Sequence, residues 1–335
     1  MAPASHQLLT TLLRDVSRSF YLTLRVLPAS VRPQIGLAYL LARATDTIAD
    51  TGLVSVDQRL RALDDLRARI LGSRRTPLAL GEFAGRQGSP SERILLERVE
   101  EAIGLLETLS PPDRQRVREA LSTITSGQEL DLRRFAGASA GKIAALQTDE
   151  ELDDYTYRVA GCVGEFWTRM CRAHLFPAEP LDDAALLANG VRFGKGLQLV
   201  NILRDLPADL AQGRCYLPAQ PLQAAGLAPA DLANPANEPR LRPLYNLWLG
   251  RAEAHLQAGW VYTNTLPWRC IRVRLACSWP ILIGLQTLAL LRTNNVLEPH
   301  RRLKITRGQL RMNLVRSVLY YPFPPLWKAL ARSEV

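Results

Sequence analysis

Apolar residues recur every three or four positions through most of this 335-residue chain, and no stretch alternates β-branched with polar residues as a half-buried strand would. That period predicts an all-α protein, with helices over 6–26, 33–50, 56–71, 91–107, 111–134, 148–174, 183–204, 241–264 and 267–292. The breaks fall where helix breakers cluster: Pro28, "GSRRTPLALGEFAGRQGSP" (72–90), "GASAG" (137–141), "LFPAEP" (175–180) and the Pro-rich run from Gly213 to Pro243. None reads as an interdomain linker, so the expectation is one helical domain over 1–310 followed by a C-terminal extension over 311–335.

Composition narrows the partners. With 47% hydrophobic and 22% charged residues the chain is an ordinary globular protein. Its formal charge of +10 suits an anionic partner, which could be nucleic acid, a phospholipid surface or a phosphorylated small molecule. Neither a nucleic-acid reading motif nor aromatics interleaved with a basic patch is present, which disfavours the first of these. Cys162, Cys171, Cys215, Cys270 and Cys277 form no CxxC pair, and the four histidines lack zinc-ligand spacing. Reduced cysteines filling the core of a cytoplasmic protein are therefore expected. The opening "MAPASHQLLTTLLRD" does not have the basic-then-apolar order of a secretory signal. The longest apolar stretch, "WPILIGLQTLALL" (279–291), falls short of the ~20 residues that span a bilayer and reads as a buried helix.

Against this background two polar stripes stand out. In "NILRDLPADL" (201–210), Asn201, Asp205 and Asp209 are four residues apart in an apolar frame, and "YLLARATDTIAD" (39–50) repeats the spacing with Asp46 and Asp50. Four helical residues turn about 400° and rise about 6 Å, so each set shares one face. Neighbouring carboxylates in apolar surroundings are costly unless a cation neutralises them. Their hard oxygens suit Mg²⁺, which is often held by one or two carboxylates together with substrate phosphates. Two such stripes would serve the departure of a diphosphate leaving group. An arginine accompanies each of them, Arg43 in the first and Arg204 in the second.

Two similar patterns carry less. Asp149 and Asp153 in "TDEELDDYTY" share the spacing, but they open a helix in a polar run where Thr148 and Glu151 read as a capping box. "GKGLQL" (194–199) begins like a dinucleotide-binding loop, yet it lacks the third glycine and lies inside a helical pattern. Its glycines are expected to permit close helix packing or substrate approach.

At these residues the chain resembles the squalene and phytoene synthase family, the head-to-head trans-prenyltransferases. "SRSF" (17–20), "YLLARATDTIAD" (39–50), "YRVAGCVGE" (157–165) and "GLQLVNILRDLPADLAQGRCYLP" (196–218) occur in the family's order and approximate spacing, over about 14–310. The resemblance implies an all-α isoprenoid synthase bundle whose two aspartate motifs face each other across a central cavity, with Mg²⁺ bridging them to prenyl diphosphates. By position, Asp46, Asp50, Asn201, Asp205 and Asp209 correspond to metal-diphosphate residues. Ser17, Arg18, Ser19, Tyr39, Arg43, Arg204 and Arg214 fall where the family contacts phosphates or assists ionisation. Phe20, Tyr155, Val159, Ala160, Gly164, Leu197 and Gln198 fall where it lines the cavity, and Tyr39, Arg43, Tyr155 and Arg204 are the positions assigned to catalysis. Pro207 departs from a regular helix inside the second motif, so a kink that displaces Asp209 is a further expectation.

The C-terminal third resembles the squalene-forming branch of the family. In "WPILIGLQTLALLRTNNVLEPHRRLKITRGQL" (279–310) an Asn pair precedes a Lys-x-x-Arg-Gly stretch associated there with NADPH, which makes Asn294, Lys304 and Arg307 the matching positions. A solvated basic face is the competing reading. The resemblance therefore implies condensation of two farnesyl diphosphates through presqualene diphosphate to squalene, with Mg²⁺ and NADPH. The alternative is a product formed without reductant: presqualene diphosphate, phytoene or dehydrosqualene. "LVRSVLYYPFPPLWKALARSEV" (314–335) mixes aromatics with basic residues, which suits either a peripheral membrane contact or a packed C-terminal helix.

Overall fold

The computed structural model describes residues 7–17, 20–299 and 303–331. Arg18 and Ser19, two of the expected phosphate contacts, lie outside the described residues. The fold is 75% helical and all-α. The chain forms two compact units interleaved along the sequence, one from 1–134 and 166–178, the other from 135–165 and 179–335.

In the first unit the principal helices are α1 (Arg32–Asp50), α2 (Val56–Leu71) and α3 (Pro111–Arg134). Helix α1 buries Ile35, Leu37, Leu40, Leu41, Ala44 and Ile48, a stripe at helical spacing in which each large side chain contributes about 1.5–3 kcal/mol. Ser55 and Gln58 form a capping box at the start of α2, and Gly72 stops the helix at φ +83°, a conformation that a side chain would strain. The predicted helix over 91–107 is two pieces, Pro90–Glu97 and Val99–Glu107, broken at Arg98.

Helix α4 (Cys162–Leu175) begins in the second unit and ends in the first. The second unit is organised on α5 (Asp183–Ala211), α6 (Glu238–Thr265) and α7 (Ile271–Thr293), followed by α8 (Arg307–Tyr320). Asp182 caps α5 by accepting from the Ala185 amide at 3.0 Å. Glycines let its backbone come close to its neighbours. A Cβ on Gly194 would lie 2.1 Å from the Ala160 carbonyl oxygen, and one on Gly164 would lie 1.9 Å from that of Gly190. The glycines of "GKGLQL" thus serve helix packing. Two residues, Ala144–Ala145 (β1), pair in parallel with Arg214–Cys215 (β2).

Several boundaries differ from expectation. Helix α5 continues seven residues past 204, with Pro207 inside it. Helix α6 starts at Glu238 and carries Pro243 inside it, so the Pro-rich run breaks the chain over a shorter stretch than the prolines suggest. Helix α7, at 23 residues, is long and apolar enough to cross a bilayer; 67% of its most apolar window is buried inside the protein, as expected of a core helix. The boundary placed at 310 falls within α8, whose Thr306–Gln309 capping box starts the helix earlier.

Candidate active site: two arginine-backed carboxylate stripes

On α1, Tyr39, Arg43, Asp46 and Asp50 fall within roughly 60° of one another around the axis. Arg43 Nη1 donates to Asp46 Oδ2 at 2.5 Å, while its Nη2 donates to Glu92 from the helix Pro90–Glu97. Burial works against the Arg43 charge, but Asp46 and Glu92 outweigh it and hold the guanidinium above its ordinary range. Asp46 behaves oppositely. Crowding by protein atoms, joined by the charge of Asp50, pushes its carboxyl up to about 6 against the pull of Arg43. Its side chain nevertheless keeps 43% of its surface open, so both carboxylates of the stripe remain accessible. Phe20 stacks on Tyr39 with ring centroids 5.3 Å apart, placing an aromatic pair one turn from Arg43.

Ser17, matched to a phosphate contact, is placed differently from that expectation. It is buried, and its hydroxyl donates back to the Leu13 carbonyl of its own helix, so it is not presented to an anion.

On α5, Leu197, Gln198, Asn201, Arg204, Asp205 and Asp209 share an arc of roughly 140°. Arg204 grips Asp205 with both arms of its fork, Nε to Oδ1 at 3.0 Å and Nη2 to Oδ2 at 2.5 Å. Asp209 lies one turn on. Its charge adds to burial in pushing the neighbouring Cys215 thiol up to about 12. Gly213 (φ +80°) turns the chain at the end of α5 and delivers Arg214 to β2, where a Cβ on the glycine would meet Ser139 backbone atoms at 2.3 Å. Helix α5 runs on through Pro207, and Tyr245 Oη donates to the Leu203 carbonyl at 2.9 Å.

The apolar positions of this unit assemble around a π-helical turn, Tyr157–Gly161, that holds Val159 and Ala160 half-buried. Such turns are frequent at functional sites. Tyr155 stacks on Tyr216 at 4.9 Å, and Tyr216 meets Phe135 edge-on at 5.2 Å. Gly164 does not fit the cavity-lining reading: its missing side chain is the space that Gly190 backbone occupies.

The decoy pair is used otherwise. The Thr148 hydroxyl caps the helix Asp149–Thr156, while Glu151 reaches one residue further back, to the Gln147 amide. Asp149 pairs with Arg251 and accepts from Trp248 Nε1, and Asp153 accepts from Lys195 at 2.7 Å.

The donor set of both stripes is oxygen only, which fits Mg²⁺. Among the described residues no group of three or more His, Cys, Asp or Glu side chains is disposed to hold a metal by itself. The residues matched to NADPH fit less evenly. Asn294 ends α7, its side-chain amide donating to the Leu290 carbonyl at 2.8 Å while its backbone carbonyl accepts from Arg242 Nη2 at 2.6 Å. Lys304 and Arg307 are exposed cations, apt for a phosphate.

No pattern in the sequence marks Glu92, Phe135 or Tyr245, and Tyr216 lies within the stretch 196–218 without a role of its own there. Glu92 sits in "SERILLERVE", where one acidic residue among several carries no signal that it will oppose Arg43.

The fold is that of an all-α isoprenoid synthase. A squalene/phytoene synthase profile matches residues 13–309, and the chain belongs to that family. It is 31% identical over 243 residues to a presqualene diphosphate synthase of Zymomonas mobilis, a match covering 72% of this chain and 70% of the relative. It is 32% identical over 247 residues to a bifunctional lycopene cyclase/phytoene synthase of Gibberella fujikuroi, covering 72% of this chain and 40% of the relative, so the chain spans about two-fifths of that longer protein. Among solved structures, TcSQS in complex with a ligand superposes with a TM-score of 0.79 at 22% identity, covering 99% of this chain and 92% of that one.

Proposed function

We propose that the chain condenses two farnesyl diphosphates head to head through presqualene diphosphate and reduces the product to squalene. The observation that carries this reading is the pair of accessible carboxylate stripes, each on one helix face and each gripped by its own arginine. Asp46 and Asp50 would hold Mg²⁺, as would Asn201, Asp205 and Asp209; when bound, the ion offsets the negative charge of a departing diphosphate. Arg43 and Arg204 orient Asp46 and Asp205, and their remaining N–H donors suit phosphate oxygens. Phe20, Tyr39, Tyr155 and Tyr216 offer π-faces that steady an allylic cation and exclude water. NADPH supplies a hydride when bound, and Lys304 and Arg307 would meet its phosphates.

A second reading is favoured by one observation. The Asn294 amide is engaged in ending α7, which suits a chain that stops at presqualene diphosphate. Incubating purified protein with farnesyl diphosphate and Mg²⁺, with and without NADPH, separates the two. Squalene formed only with NADPH supports the first reading, and presqualene diphosphate under both conditions supports the second. Absence of any conversion overturns both.

Peripheral contact with a lipid surface at the cytoplasmic side belongs to the same reading, because α8 is amphipathic in the reverse sense. Asn313 and Ser317 face inward, bonded to Gln286 and Trp279, while Met312, Val315 and Leu319 are exposed at 55%, 52% and 61%. Arg311 and Arg316 flank that apolar strip. Leu319→Glu should abolish sedimentation with vesicles of anionic phospholipid; unchanged sedimentation refutes the contact.

A further inference from the structure

Pro207 stands between Asp205 and Asp209, inside α5. In a regular helix the amide of residue 207 would donate to the carbonyl of residue 203, and proline has no such hydrogen. Its ring also crowds that carbonyl, so a proline here ordinarily bends a helix or ends it. A buried carbonyl without a donor costs roughly 1–3 kcal/mol. Helix α5 continues past the proline, and the Leu203 carbonyl is not left unanswered: Tyr245 Oη, from α6, donates to it at 2.9 Å.

The donor is built in. Tyr245 is 0% exposed, and the Arg242 guanidinium lies 5.6 Å from its ring. Arg242 is itself held by Glu238 one turn earlier and by the carbonyls of Leu291 and Asn294 at the end of α7. Burial pushes the phenol far above its ordinary range, so the hydroxyl stays protonated and able to donate at any working pH. All of these residues belong to the second unit.

We propose that Tyr245 is a positioning residue for the second carboxylate stripe, its hydroxyl replacing the amide hydrogen that Pro207 lacks and so keeping Arg204, Asp205 and Asp209 on one continuous helix face. Leu203 immediately precedes the Arg204–Asp205 fork, and Asp209 lies two residues beyond the proline. A bend at this point would rotate one carboxylate away from the other. The proposal rests on the metal-diphosphate reading of the stripe, and it adds a residue from another helix that touches neither metal nor diphosphate.

The test uses Tyr245→Phe, Pro207→Ala and the double variant in the full chain, with two measurements apart from turnover: melting temperature, and the Mg²⁺ midpoint for binding of inorganic diphosphate. Tyr245→Phe should lower the melting temperature by about 2–5 °C and raise the Mg²⁺ midpoint by ~10-fold, as loss of a supporting partner does at metal sites. Pro207→Ala should bind as the parent does. The double variant should recover to within about twofold of Pro207→Ala, because the substituted alanine restores an amide hydrogen for the Leu203 carbonyl. A double variant no better than Tyr245→Phe overturns the proposal, and so does a lowered melting temperature with an unmoved Mg²⁺ midpoint. If Tyr245→Phe does not fold, restored folding and diphosphate binding in the double variant support the proposal and continued misfolding overturns it. A parent chain that binds no Mg²⁺-dependent diphosphate overturns the functional reading and the positioning role together; a parent that binds beside an unaffected Tyr245→Phe overturns the positioning role alone.

Discussion

Arg43 donates to Asp46 one helical turn away and to Glu92 on another helix, so one guanidinium spans two carboxylates while Asp50 repels Asp46 from below. Removing Asp46 or Asp205 should disable its stripe without unfolding the helix that carries it, because both side chains reach solvent. Asp46→Ala and Asp205→Ala are each expected to reduce turnover of farnesyl diphosphate by at least ~100-fold with unchanged helical circular dichroism. Activity near the parent level in either variant would remove that carboxylate from the site.

The raised carboxyl of Asp46 has a sign that can be checked. Its folded value of about 6 lies above the ordinary 3.8, so its contribution to metal-free stability is fully present below about 3.8 and is lost as pH rises through about 6. Mg²⁺ needs the ionised form, so Mg²⁺ stabilisation of the melting temperature should fade as pH drops through about 6. Asp50→Asn removes the like charge and should shift the titration midpoint of Asp46, followed by carbon NMR of the carboxyl, to lower pH. A midpoint unmoved by that substitution would assign the shift to burial alone.

Asp113, 3% exposed, accepts from His174 Nε2 at 2.9 Å and from Arg116 at 2.7 Å. Burial works to raise its carboxyl, but His174, Ser110 and Arg116 outweigh it and hold the carboxyl below the usual range. Its stabilisation is therefore present above the unfolded value near 3.8 and is lost as pH falls through the lower folded value. Asp113→Ala leaves two donors without their acceptor and should cost about 2–4 kcal/mol in urea unfolding at neutral pH. A cost under about 1 kcal/mol would show that water replaces the carboxylate.

Glycines of one chain should respond in opposite directions. Gly194→Ala drives a Cβ into the Ala160 carbonyl and should destabilise by ~3 kcal/mol or more. Gly250→Ala, on an exposed helical position with nothing within 4 Å, should stabilise by about 0.5–1 kcal/mol. Thermal unfolding of the two variants side by side checks both signs.

Arg274 is 2% exposed and lies over the rings of Trp268, Tyr321 and Trp327 at 4.6, 5.7 and 5.6 Å, with Nη1 donating to the Leu266 carbonyl at 2.7 Å. Burial holds its guanidinium below the ordinary range. Arg274→Met should loosen the aromatic cluster, cost about 2–4 kcal/mol and expose the segment 321–331 to proteolysis before the rest of the chain. Parent-like proteolysis would show that apolar packing alone retains it.

Much of the molecule was legible in the order of its residues. The helical period is a local property, repeated within each α-helix, and so the all-α class followed from it. The stripes Asp46–Asp50 and Asn201–Asp205–Asp209 were legible for the same reason: a four-residue step defines a helix face whatever packs around it. The decoy at Asp149 and Asp153 was distinguished by its polar frame, and its carboxylates are spent on Arg251 and Lys195.

Tertiary structure decided what each of those residues meets. Ser17 turns back to Leu13, Gly164 yields its space to Gly190, and Asn294 ends a helix, although each matched a family motif by position. Pro207 read as a threat to the second stripe, because the hydroxyl that answers it stands 38 positions further on, in another helix. Periodicity records which side chains share a face. The partner that neutralises Arg43, closes the gap at Leu203 or leaves α8 with its apolar side outward comes from elsewhere in the chain, and only packing of the distant segment brings it within hydrogen-bond reach.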